Sequence, residues 1–167
     1  DAEFQAGLEL IDSGSLVLPG DTSALELLAF WILAYRFGLR RSEILGLEQR
    51  DFALDTLTVR ANAARSLKTV NARRVLPLAA LPGDEQASID LWLASRAKNR
   101  YCFFEHEPSA RELESHPVIA RTKALLVAVS GDRRLHVHNL RHSTATLHLL
   151  GILGRDLGLE RHPYCEP

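Results

Sequence analysis

His138 and Arg141 in the stretch His138-Asn-Leu-Arg-His-Ser-Thr-Ala-Thr146 stand three residues apart, a spacing that projects both side chains from one face of a helix. A guanidinium forks onto phosphate oxygens, and an imidazole near neutral pH can take or give a proton. Leu140, Thr144 and Leu147 recur on a different stripe, which predicts that this stripe packs into a core and leaves the His/Arg face open. A second stretch, residues 37–47, places Arg40 between a helix stop at Gly38 and a new helix start at Ser42. Free backbone N–H groups at such a start favour a bound anion. Lys68 lies near a turn in residues 65–72, from where its ammonium can swing into a neighbouring site. An ordinary solvated turn lysine would read the same way.

These residues need elements to carry them. Ser23-Ala-Leu-Glu26 reads as a capping box opening a helix that is apolar nearly all round, from Leu25 through Phe30 and Trp31 to Leu33, which predicts a central buried helix ending just before Arg40. Ahead of it, residues 1–22 read as a short amphipathic helix (Phe4, Leu8, Ile11) and a Gly/Ser/Pro-containing connector. Leu57, Val59 and Ala61 alternate with Thr58 and Arg60, and Arg73-Arg-Val-Leu-Pro-Leu78 is a second extended run, so a small antiparallel sheet is expected at 57–78. Asp84 is expected to cap a helix with Ile89, Trp92, Leu93 and Ala97 on one side, and Tyr101-Cys-Phe-Phe104 reads as core. A further helix runs from Ser115-His-Pro117 to Gly131 with Val118, Thr122, Leu125, Leu126 and Val129 inward, and the helix opening at His138 follows. The expected fold is mainly α-helical with a small antiparallel β-sheet.

Composition narrows the class. A chain of 167 residues with a net charge of −1 can bury a core without staples and is no generic polyanion binder. Positions 36–74 nevertheless hold nine Lys/Arg against four Asp/Glu, a local positive excess suited to nucleic acid. The longest apolar run, Ala24 to Tyr35, is interrupted by Glu26 and too short to span a bilayer, and the start Asp1-Ala-Glu-Phe4 lacks a secretory pattern. Cys102 and Cys165 have neither metal nor disulfide spacing, so a cytoplasmic protein is expected.

Taken together, the stretches resemble the catalytic domain of the tyrosine recombinase (phage integrase) family. That family's first box, approximately T-G-L-R-x-S-E-L-x-x-L, is matched by Phe37-Gly-Leu-Arg-Arg-Ser-Glu-Ile-Leu-Gly-Leu47, with the Asp51-Phe52 pair after it. Its second, H-x-L-R-H-T/S-x-A-T, is matched by residues 138–146, and its hairpin lysine before V-x-L-P corresponds to Lys68 ahead of Arg73-Arg-Val-Leu-Pro-Leu78.

The resemblance implies cleavage of one DNA strand by a tyrosine hydroxyl, giving a 3′-phosphotyrosyl link and a free 5′-hydroxyl, with neither metal nor other cofactor. Arg40 and Arg141 would clamp the scissile phosphate, Lys68 would protonate the leaving 5′-oxygen and His138 would assist proton movement. Glu43 reads as a structural hydrogen-bonder. The expected partners are double-stranded DNA and, on DNA, further copies of the chain, with no membrane. Residues 1–22 are expected to be an extension or linker and 23–167 the catalytic domain, its C-terminal end incomplete or divergent. There Leu159-Glu-Arg-His162 resembles a degenerate form of the family's L-G-H box, which makes His162 a site candidate. Tyr164 follows with Pro163 alone between, off the nucleophile's usual position, so the nucleophile stays unassigned. Three alternatives remain: a DNA-binding relative unable to cleave, a metal site on His136, His138 and His142, and a related type IB topoisomerase domain, against which the wording of the boxes favours integrases.

Overall fold

In the computed structural model, residues 2–14, 23–66 and 72–156 are described, with backbone alone at 147, 148 and 150–156. The fold is mainly α-helical with one small sheet. The centre is α2, Ala24–Arg36, on which every residue from Glu26 to Tyr35 is buried. No face is left for water because α1 (Ala2–Asp12), α4 (Gly83–Ser95), α6 (Pro117–Ser130) and α7 (Val137–Asp156) all pack against it. Among the described residues, no helix is long and apolar enough to cross a membrane.

α1 joins this core through the three residues its periodicity singled out. Phe4, Leu8 and Ile11 are buried, the Phe4 ring stacks on Tyr35 at 4.1 Å between centroids, and Trp31 Nε1 donates to the Phe4 carbonyl at 3.3 Å. A side chain at Gly7 would put its Cβ only 2.6 Å from the Trp31 ring, so the α1–α2 approach requires glycine there. Gly7→Ala is expected to cost about 1–3 kcal/mol of unfolding free energy as an overpacked contact. Urea titration measures it, and a midpoint at or above that of the wild type would contradict the packing.

Among the described residues the sheet holds three antiparallel strands in the order β1 (Phe52–Ala53), β2 (Thr56–Val59), β3 (Arg74–Pro77). Leu57 pairs with Leu76 and Val59 with Arg74, and Leu57 and Val59 point into the core as their alternation requires. Ala61, the third residue of that alternation, is exposed and lies past the end of β2. Tyr101, Cys102, Phe103 and Phe104 are all buried, and burial pushes the Cys102 thiol well above its ordinary range, so it acts as a small apolar group.

Local expectations fail where a distant partner intervenes. Ser23 caps α2 by accepting from the Glu26 N–H at 3.1 Å, but the Glu26 carboxylate meets Arg96 at 2.5 Å instead of turning back to the cap. Only half of the capping box forms. Asp84 sits in the first turn of α4, whose N-cap is Pro82, and Ala97 is exposed beyond the helix end. A short helix absent from the sequence reading, α5 (Ala110–Ser115), is opened by a true capping box of Ser109 and Glu112. α6 follows expectation, with Val118, Thr122, Leu125 and Leu126 buried, Val129 half-buried and Gly131 closing it in a left-handed turn.

Candidate active site

α2 ends at Arg36 and the chain turns through Gly38, whose φ of +58° strains any residue but glycine. That turn is also where α7 lands. Thr144 donates its hydroxyl to the Tyr35 carbonyl, Arg141 NH1 donates to the Gly38 carbonyl, and Leu140 and Thr144 are buried in the interface. A Cβ on Gly38 would already touch Thr144 at 3.4 Å. The Tyr35 carbonyl in the last turn of α2 and the Gly38 carbonyl just beyond it are thus taken by side chains of α7, which fixes His138 and Arg141 against the Arg40 segment. The stripe expected to pack does so at Leu140 and Thr144; the Leu147 side chain lies outside the described residues.

Arg40 is the N-cap of α3 (Arg41–Leu45), one residue ahead of the expected start. Its position is set by Glu43. The Glu43 carboxylate, almost fully buried, accepts the Arg40 backbone N–H at 2.8 Å and the Arg40 guanidinium at 3.1 Å, and receives Arg74 from β3 at 2.9 Å. Burial alone would raise the Glu43 pKa, but hydrogen bonds from Arg74 and Arg40 outweigh it and hold the carboxyl below its usual range. Glu43 is the structural hydrogen-bonder its sequence position suggested.

A second layer sits beneath. Arg65, fully buried, donates Nε to the Arg60 carbonyl at 2.8 Å, NH1 to the Glu43 carbonyl and NH2 to Asp51 at 3.3 Å. Asp51 also accepts the Glu48 N–H at 3.0 Å and Arg60 at 2.7 Å. The backbone around Arg40 is therefore anchored from three directions.

Arg40 and His138 line one cleft of about 600 Å³, bounded by α3, α6 and the start of α7. Arg141 stands beside this cleft, half-buried, and Arg40, Arg74 and Glu43 all act on its charge. Burial lowers the Arg141 pKa, and the positive Arg40 adds to the effect, yet a guanidinium stays charged at neutral pH. His138 is exposed, its pKa lowered by partial desolvation and then by His142, Arg141 and Arg40. It is therefore mainly neutral at pH 7 and able to accept a proton. Its ring meets that of His142 edge to face at 4.5 Å. Among the described residues no three His, Cys, Asp or Glu come together as metal ligands, so His136, His138 and His142 do not converge. Lys68, His162 and Tyr164 lie outside the described residues.

The positive excess between residues 36 and 74 is largely internal. Arg36 meets Glu85, Arg40 and Arg74 meet Glu43, Arg50 meets Glu48, and Arg60 and Arg65 meet Asp51. Counting charges in the sequence therefore overstates the basic surface. Arg65, Arg74 and Asp51 were missed as supports of the site; the Asp51-Phe52 pair after the first box and the position of Arg74 ahead of the Val-Leu-Pro run were the signals that hinted at a role.

A family model described as the phage integrase family matches residues 13–150, a span that contains both the Arg40 and the His138–Arg141 segments. The chain belongs to the phage integrase family. Members of that family are tyrosine recombinases, enzymes of DNA recombination and integration, and family membership implies DNA binding. Comparison with curated proteins finds no match.

Proposed function

We propose that this integrase-family chain is the catalytic domain of a site-specific recombinase that cuts and rejoins DNA through a 3′-phosphotyrosyl intermediate. The observation that carries the reading is the meeting of Arg40 and His138 in one cleft, with Arg141 near enough to act on the charge of both; among the described residues Glu43 is the carboxylate that acts on these groups. Arg40 and Arg141 hold the non-bridging oxygens of the scissile phosphate, where negative charge rises as the nucleophile adds. Neutral His138 takes or relays the proton released by the tyrosine hydroxyl. Lys68 protonates the departing 5′-oxygen, and His162 is a further candidate of the same site. The phosphotyrosyl ester conserves the phosphodiester linkage, so the 5′-hydroxyl of a partner strand can reverse the step. Copies of the chain associate on DNA so that strands can be exchanged.

The test is a pool of nicked duplexes with randomised sequence around the nick, on which cleavage releases a short oligonucleotide and traps the protein. A protein–DNA adduct that survives denaturation, with DNA attached to a tyrosine, is the expected result. DNA binding with no adduct would reject the chemistry and leave a non-cleaving relative.

A further inference from the structure

The cleft shared by Arg40 and His138 is larger than one phosphate needs, and its remaining wall has a composition of its own. Arg41 at the start of α3, Lys123 on the outer face of α6 and His136 ahead of α7 also line it, and among the described residues no acidic one does. Glu43 offsets the charge of Arg40, whereas among the described residues Arg41 and Lys123 meet no carboxylate. Both side chains are exposed. Between them, half-buried Ile119 and Val137 give the cleft an apolar floor. Uncompensated cations around a concave surface focus a positive field, and a floor of aliphatic groups suits the carbon skeleton of a sugar.

We propose that Lys123 and Arg41 form a second phosphate subsite, holding the DNA backbone phosphate next to the one clamped by Arg40 and Arg141, with Ile119 and Val137 against the intervening deoxyribose. The subsite deepens the recombinase reading and rests on it. It is reached from three separate elements, so it fixes the direction of the strand across the site as well as adding affinity. Because it reads only backbone, it contributes equally on every sequence.

Titration of short duplex DNA at increasing KCl tests it. One phosphate contact contributes about 0.9 to the slope of log affinity against log salt, so Lys123→Gln should lower the slope by about that amount. Between 50 and 200 mM salt the variant would then lose about threefold less affinity than the wild type does. Lys123→Arg should restore the slope, and the double change with Arg41→Gln should remove about two contacts. Lys98→Gln, at an exposed lysine outside the cleft, should keep the wild-type slope. Far-UV circular dichroism identifies any variant that fails to fold, and Lys123→Glu then serves as a second, sign-reversing probe of the same position.

An unchanged slope for Lys123→Gln, or an equal drop for Lys98→Gln, overturns the subsite while leaving the recombinase reading intact. Failure of the wild-type protein to bind duplex DNA at all would overturn both.

Discussion

Arg141→Ala is expected to slow single-turnover strand cleavage by about a hundred- to a thousandfold at saturating DNA, as loss of one preorganised donor does elsewhere. The argument rests on where this guanidinium is held. One N–H is committed to the Gly38 carbonyl, which fixes the plane of the fork, and partial burial removes water that would otherwise screen its charge. Arg40 is fixed in turn by Glu43, so a phosphate between the two meets donors that need not reorganise as charge develops. Arg141→Lys keeps a charge but loses the planar fork and should recover only part of the rate. Melting temperatures separate chemistry from folding, since alanine also strips the Gly38 carbonyl of its donor. A cleavage rate within a few-fold of wild type would remove Arg141 from the proposed chemistry.

Such a site is legible in sequence wherever one residue type at one spacing carries the meaning. The apolar run of α2, the period of α6 and the packing stripe of α7 at Leu140 and Thr144 all declare themselves because local periodicity and burial agree. Illegible features are those decided by a partner far along the chain. Glu26 abandons its local capping role for Arg96, and Arg65 looks like any surface arginine until Asp51 and the Glu43 carbonyl are placed around it. α5 escaped because it buries only Leu113, so it has no periodic stripe to read. The basic excess misled for the same reason, since a sum over sequence cannot tell an arginine that faces DNA from one that faces a carboxylate.

Arg65 shows how strongly the site depends on that unseen layer. Its side chain and that of Asp51 are both fully buried, and desolvation lowers the Arg65 pKa even with Asp51 beside it. Forming such a pair from water gains little, but breaking it leaves the buried Asp51 with Arg60 as its remaining counter-ion and strips two carbonyls, those of Glu43 and Arg60, of their donor. Arg65→Ala is therefore expected to cost about 3–5 kcal/mol, a large share of the about 5–15 kcal/mol that holds a domain folded. Chemical denaturation measures the loss, and a change below about 1 kcal/mol would mean that Arg60 and the Glu48 N–H suffice for Asp51. Pairing Arg65→Met with Asp51→Leu should return part of the stability, because no buried carboxylate remains and Arg60, partly exposed, can turn to water, although the Glu48 N–H loses its acceptor. It should not return cleavage, because the Glu43 carbonyl would still lack its donor and the start of α3, with Arg40 on it, would lose one of its anchors. Recovery of stability without recovery of cleavage is thus the expected signature of a buried layer whose role is to position Arg40.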